Sequence, residues 1–484
     1  MFATNVNVLG WGTAALSGFM VLPAAVSFGI GETETGISFA TGAALTFFAG
    51  GTAVVSTRGT EKRIDLRGGF LTASLLWTIL PAFAAIPFLL SGQFLSPLDA
   101  YFEALSGFTT NGATVLSNLD QQPRGILMWR ALLQWLGGFA VILLAIALLA
   151  FGGVGGMNLF NSPMARGDRE TLFGRAVRTA RSLWWIYAGL TALCILALVA
   201  VGLTPFDATT HALTTISTGG FSTHDSGVAA FDNLGAEIVL MVFMLVGALN
   251  FTLIWALARG RTQPLLRDIE THYLLAIVLA ATAIVAGALV AIQGLGPGAS
   301  LRTAVFDVIS ALTTTGFSAT AGAASTSLPV IVPVMLMGLM LIGGATGSTA
   351  NGMRLMRLAI FFRLAGRELS RLSYPHGVVR LRYAGQIIDE STLRNVWGQL
   401  MMFLSMLALA AVVFGLLGFD LQGALALSAT TLSTAGAGLS LTAPHLAYPD
   451  FGDATKWALC AAMIIGRLEL LVVLVLFTPA YWRK

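Results

Sequence analysis

The chain has 484 residues, of which 56% are hydrophobic and only 10% charged, and its mean hydropathy is +0.81. A soluble core of this length would be wrapped in far more charge, so a soluble globular class is excluded. The formal net charge of +4 carries no nucleic-acid signal, and no Walker-type loop or dinucleotide fingerprint occurs.

Apolar runs of about 20 residues match the thickness of bilayer hydrocarbon. Ten spanning runs are predicted, at 6–29, 37–56, 70–90, 126–150, 183–203, 236–258, 273–293, 329–362, 397–416 and 456–480. In lipid the all-helical solution is expected, because every backbone polar group must find its partner within the segment. Residues 1–7 carry no basic side chain, so they do not resemble the start of a cleaved signal peptide. Cys194 and Cys460, the only cysteines, lie in apolar runs and read as packing residues, with no disulfide framework or metal cluster.

Four shorter segments, near 97–108, 205–216, 301–313 and 420–432, lie between these spans and are too short to cross. Each ends in a glycine phrase: Thr109-Thr110-Asn111-Gly112, Ile216-Ser217-Thr218-Gly219, Thr313-Thr314-Thr315-Gly316 and Ser433-Thr434-Ala435-Gly436. Short helices with irregular backbone at membrane depth are tolerated only where protein or water surrounds them. Four such loops suggest a ring about one axis, the arrangement by which backbone carbonyls replace the water shell of a cation. Amphipathic helices on the surface of long loops are the plainer reading of any single segment.

Charge supports the layout. The segments 57–67, 163–181, 259–271, 354–396 and 483–484 hold 22 of the 27 Lys and Arg, while the side of the glycine loops holds Arg124, Arg130, Arg302 and Lys456. By the positive-inside rule the loops face outward and both termini are cytoplasmic. The predicted fold class is an all-α polytopic membrane protein, with two leading transmembrane helices (1–57) and four pseudo-repeated helix–pore helix–helix units around a central ion pore. The units are 68–152, 182–260, 271–366 with a broken second helix, and 397–484. The stretch 367–396 reads either as a cytoplasmic linker or as a docking surface, with a hairpin turn at Ala384-Gly385-Gln386.

The candidate filter residues are Thr110, Asn111, Gly112, Ser217, Thr218, Gly219, Thr314, Thr315, Gly316, Thr434, Ala435 and Gly436. Glycine fits there because aiming successive carbonyls at an ion needs backbone angles that a side chain resists. Asp99, Asp207 and Asp420 stand near the starts of three short helices and are expected to cap them. Glu103 and Asp307, each nine residues before its glycine, face either packing partners or an outer vestibule. His211 and His224 are lone histidines with no metal-ligand spacing.

The eighth run contains Gly343, Gly344, Gly347, Ser348, Thr349, Asn351 and Gly352, which make a continuous helix improbable and predict a flexible loop across the pore. A small-residue helix crossing is the other reading. Arg467 lies in mid-span, where a charge costs about 2.5–3.5 kcal/mol unless it faces the bundle interior or water. It reads as part of a gate or as an anchor for loop carbonyls, and Glu469, two residues on, cannot share its helix face. No nucleophile–base constellation occurs in the spans, so no enzyme is indicated.

The phrases Ser106-Gly107-Phe108-Thr109-Thr110, Gln134-Trp135-Leu136-Gly137-Gly138, Ser217-Thr218-Gly219-Gly220-Phe221-Ser222-Thr223-His224-Asp225 and Thr313-Thr314-Thr315-Gly316-Phe317 carry a family resemblance. So do the 343–352 stretch, Gly466-Arg467-Leu468-Glu469 and Leu476-Phe477-Thr478-Pro479. Nearly the whole chain resembles the Trk/Ktr/HKT superfamily of potassium transporters, and the two leading helices favour its Trk branch. The resemblance implies potassium uptake across a bacterial inner membrane, a bound K+ ion with no covalent cofactor, and proton or sodium coupling left open. It implies a homodimer with one pore per protomer, a gate at 343–352 with Arg467, and a cytosolic nucleotide-binding regulatory subunit of the TrkA type. Asn111 departs from the threonine common in the family. Ser433-Thr434-Ala435-Gly436-Ala437-Gly438 departs from its usual asparagine-bearing Gly-Pro-Gly loop. A serine at the first filter glycine goes with sodium preference in the family, and Gly112 stands there. A sodium-permeable relative is therefore the alternative reading.

Overall fold

The computed structural model describes residues 2–59, 66–94, 96–150, 169–319, 328–374, 381–383, 386–468 and 478. Among the described residues the fold is all-α apart from one small hairpin, as expected for a chain in lipid. Among the described residues seven helices are long and apolar enough to cross a membrane: Phe2–Gly29, Thr33–Ser56, Gly68–Leu90, Arg124–Ala145, Thr179–Ala200, Ile269–Gln293 and Glu390–Leu416. Their outer faces leave Phe48, Trp185, Leu279 and Leu416 exposed, as lipid-facing surfaces do.

The eighth predicted run is broken as expected, into Ile331–Ile342 and Leu355–Ser373. The run read as continuous over 236–258 is also broken. Leu234–Ala248 and Phe251–Ala258 meet at 106°. Asn250 makes the break tolerable, because its side chain accepts from the Thr252 N–H at 2.9 Å and starts the second segment. The last helix is described as Asp453–Leu468. Glu469 and most of Leu476-Phe477-Thr478-Pro479 lie outside the described residues.

Four short helices, Pro97–Phe108, Pro205–Ile216, Pro297–Leu312 and Leu421–Leu432, pack inside the ring of long ones. Three begin with proline, whose missing N–H costs nothing in a first turn. The third starts at Pro297, four residues earlier than its polar spacing suggests. Ser96 and Thr204, not the aspartates, are the caps of the first two. Their side chains accept from Asp99 N and Asp207 N, each at 3.1 Å, and donate back to the same carboxylates. Asp420 caps the fourth directly, accepting from Gly423 N at 3.1 Å. Asp99 also pairs with Lys456 Nζ at 2.6 Å, tying the first unit to the last.

Between the third and fourth units, Arg382–Tyr383 pairs antiparallel with Gln386–Ile387; Ala384 and Gly385 of the expected turn lie outside the described residues.

Candidate functional site: a ring of four helix-terminal loops

Each short helix ends in one repeated turn. Two residues beyond the last helical residue stand Thr110, Thr218, Thr314 and Thr434, with φ of 55°, 51°, 56° and 53°. The next N–H reaches back five residues: Asn111 to Ser106 O, Gly219 to Thr214 O, Thr315 to Ser310 O and Ala435 to Thr430 O, all at 2.7–3.0 Å. The threonine N–H reaches back three, to Gly107, Thr215, Ala311 and Thr431. This is the Schellman pairing that satisfies helix-terminal carbonyls, usually built on glycine. A β-branched residue in the left-handed region is strained, by about 1–3 kcal/mol, and strain of that kind persists where function needs it.

The shared turn corrects the register of the second loop. Counted from the helix ends, the equivalent glycines are Gly112, Gly220, Gly316 and Gly436, with steps of 108, 96 and 120 residues. Gly220 has φ of 80°, beside 79° at Gly112 and 84° at Gly316. Gly219 takes the place of Asn111, Thr315 and Ala435, and its carbonyl accepts from Gln134 Nε2 at 2.7 Å. Two adjacent glycines leave the sequence alignment ambiguous, and only the hydrogen bonds separate them.

The loops close on one another in order. A Cβ at Gly112 would overlap the Gly219 carbonyl oxygen, one at Gly220 the Thr315 oxygen, and one at Gly436 the Asn111 amide. At Gly316 it would lie 2.6 Å from Gly438 N. Ala437 N also donates to Asn111 O at 3.2 Å. Within the ring Thr110 Oγ1 and both amide atoms of Asn111 are buried without a protein hydrogen-bond partner among the described residues.

The fourth loop differs. Gly436 lacks the positive φ of its counterparts and opens a 3-10 turn, Gly436–Gly438. Its carbonyl accepts from the Tyr448 hydroxyl at 3.0 Å. The turn carries the Ala437 methyl to the centre of the ring, 2.8 Å, 2.8 Å and 2.9 Å from where Cβ atoms on Gly112, Gly220 and Gly316 would stand.

Behind the first three loops, the position nine residues before the corrected glycine is a brace. Glu103 accepts from Thr114 Oγ1 and Val115 N, both at 2.9 Å, and pairs with buried Arg130 at 2.7 Å. Asp307 accepts from Ala319 N at 3.2 Å. His211, the second-loop counterpart, joins Ser222 Oγ at 3.0 Å and Asp207 O at 2.9 Å. Leu427 occupies the place in the fourth. Both carboxylates therefore hold packing partners, and neither opens on a vestibule. Gln134 and Arg130 add a clamp on the second loop, through Phe221 N at 3.1 Å and Ser222 O at 3.1 Å. His224 bridges Asp120 and Asp207, and among the described residues no group of metal-ligating side chains forms.

Beneath the ring lies the irregular stretch 343–354. It reverses through Gly343, Gly347 and Gly352, all at positive φ. Its backbone is satisfied by the other broken span: Ala345 N donates to Ala248 O at 2.9 Å, Thr349 N to Gly247 O at 3.2 Å, and Phe251 N to Gly347 O at 3.2 Å. Two interruptions that each cost dearly alone complete one another's hydrogen bonds. From below, Thr349 Oγ1 donates to Ile216 O at 3.0 Å, and Asn351 N to Thr314 Oγ1 at 3.1 Å. Asn351 Nδ2 reaches Leu432 O at 3.4 Å and Gly466 O at 2.9 Å. Arg467, 3% exposed, donates to Thr349 O at 3.2 Å and reaches Thr434 Oγ1 at 3.5 Å. Its Nε and Nη2 have no protein partner among the described residues.

Fold and site define a polytopic membrane protein of four quasi-repeated units whose helix-terminal loops close on one another, with an irregular loop and an arginine packed beneath them. A family model described as "TrkH: Cation transport protein" matches residues 36–484. The Trk system potassium uptake protein TrkH of Vibrio parahaemolyticus is 35% identical over the full length of both chains. The protein of the same name from Halomonas elongata is 36% identical over 92% of each. The crystal structure of the potassium transporter TrkH from Vibrio parahaemolyticus superposes with a TM-score of 0.91, at 33% identity and full coverage of both chains. The chain belongs to the TrkH family of cation transport proteins.

Proposed function

We propose that the protein takes up potassium across a bacterial inner membrane, with the four-loop ring as its selectivity filter. The observation that carries this is the fourfold helix-terminal turn, which converges four helix C-termini and a set of buried unpartnered polar atoms on one axis. Helix C-termini favour a cation, and potassium exchanges its loosely held water for neutral oxygens. The names of the relatives support potassium as the ion. The membrane potential suffices as a driving force: about 100 mV is worth roughly 2.3 kcal/mol per charge, a gradient of about 50-fold.

In this reading the ions meet the ring from outside, lose water there, and are held back by 343–352 with Arg467. The asymmetry of Lys and Arg supports glycine loops that face outward and termini in the cytoplasm. The units 68–152, 182–260, 271–366 and 397–484 each supply one loop, after the leading helices 1–57. A second protomer and a cytosolic nucleotide-binding subunit of the TrkA type complete the assembly implied by the family.

A sodium-permeable filter is the second reading, favoured by the Gly436 carbonyl that faces Tyr448. Rubidium and sodium flux into proteoliposomes separates the two. Rubidium flux well above sodium flux supports potassium uptake, and equal or greater sodium flux refutes it.

A further inference from the structure

The loop beneath the ring has one anchor that leads away from it. The Glu270 carboxylate, 3% exposed, accepts from the Thr346 backbone N–H at 2.7 Å. Glu270 lies in the first turn of Ile269–Gln293, at the end remote from the glycine loops. Ile269, its neighbour in the chain, packs against the cluster that holds Tyr383 of the hairpin between the third and fourth units, and the Tyr383 phenol lies beside the same carboxylate. Burial, and then the Glu270 charge, raise the Tyr383 phenol above its ordinary value, so it keeps its proton beside the carboxylate.

The hairpin is packed firmly. Leu381, Tyr383 and Ile388 are buried against Met356, Ile360 and Leu364 of the helix that leaves the loop. Arg363 Nη1 donates to Arg382 O at 2.8 Å, and its guanidinium lies 5.4 Å from the Tyr383 ring centre. Hairpin and departing helix thus form one block, and Glu270 ties that block back onto the loop. If Tyr383 withdraws, the buried carboxylate loses its polar neighbour and is driven toward water, away from Thr346.

We infer that Glu270 is a positioning residue that couples the 381–388 hairpin to the intramembrane loop, so that displacing the hairpin on the cytoplasmic side frees the loop. The inference rests on the reading of 343–352 as a gate.

The test uses the full chain in proteoliposomes, with Tyr383→Phe, Glu270→Ala and, for comparison, Arg467→Ala. Rubidium flux and hydrogen exchange over 343–354 are both measured. Tyr383→Phe and Glu270→Ala are expected to speed exchange there and raise basal flux roughly fivefold to tenfold, the factor for one lost hydrogen bond. Rubidium over sodium preference stays as it was, and the double variant exceeds Glu270→Ala by nothing. Unchanged loop exchange in Tyr383→Phe overturns the coupling, whatever the flux does. Faster exchange with flux unchanged in all three variants upholds the coupling and refutes the gate. Should Glu270→Ala fail to fold, Tyr383→Phe alone decides, since it removes a single oxygen.

Discussion

Arg467 and Thr349 meet beneath the four helix-terminal turns, guanidinium Nη1 to carbonyl oxygen at 3.2 Å, while the same nitrogen reaches Thr434 Oγ1 at 3.5 Å. One side chain therefore touches both the irregular stretch 343–354 and the fourth helix-terminal turn. Its remaining nitrogens are buried without protein partners among the described residues, so its charge is not neutralised by hydrogen bonds to a carboxylate there. A fixed positive charge in a low-dielectric constriction opposes a cation strongly.

Arg467→Ala removes that barrier and the hold on Thr349 together. Basal rubidium flux in proteoliposomes is expected to rise about tenfold or more, the equivalent of roughly 1.4 kcal/mol. Lower flux from protein that folds normally would count against a gate.

The register of the second loop makes a paired prediction. Gly220→Ala places a Cβ against the Thr315 backbone oxygen at positive φ, whereas Gly219→Ala meets mainly the flexible Gln134 side chain. Gly220→Ala should lose most flux, and Gly219→Ala should keep more of it. Gly220→Ser and Gly112→Ser should both weaken rubidium over sodium preference. Equal damage at 219 and 220 refutes the corrected register.

Ala437 gives the fourth loop its own prediction. Its methyl sits where three glycines converge, so Ala437→Gly should widen the outer mouth and raise flux a fewfold. Ala437→Val should nearly abolish it. The check is initial-rate rubidium uptake, and a valine variant as active as the parent rules out a central methyl.

The ion pair between Asp99 and Lys456 predicts a stability effect. Both side chains are 9% exposed, and breaking a buried pair by removing one partner costs about 3–5 kcal/mol. Lys456→Met should lower the thermal midpoint in detergent, and adding Asp99→Asn should restore much of the loss. Additive losses would show that the two residues act separately.

Much of this was legible in the chain. Spans of lipid length, four short segments ending in glycine phrases and the asymmetry of Lys and Arg are local signals, and each reports a constraint that acts on a stretch by itself. Glu103 and Asp307 were visible as repeats, yet their direction was not, because a helix position does not say which neighbour lies behind it. The braces become clear only when Val115 N and Ala319 N fold back onto them.

By itself the sequence determined an all-helical membrane protein with four loops, a broken span and an arginine in mid-span. Tertiary structure alone decided that Gly220 and not Gly219 carries the repeat, that the fourth loop turns its carbonyl to Tyr448, and that the chain breaks at Leu249 as well as at Gly343. A carbonyl or N–H at membrane depth must find a partner: for the fourth loop it is Tyr448, 12 residues on, and for the break at Leu249 it is Ala345 and Thr349, about a hundred residues on, while the register of the second loop shows only in which N–H turns back to the helix end.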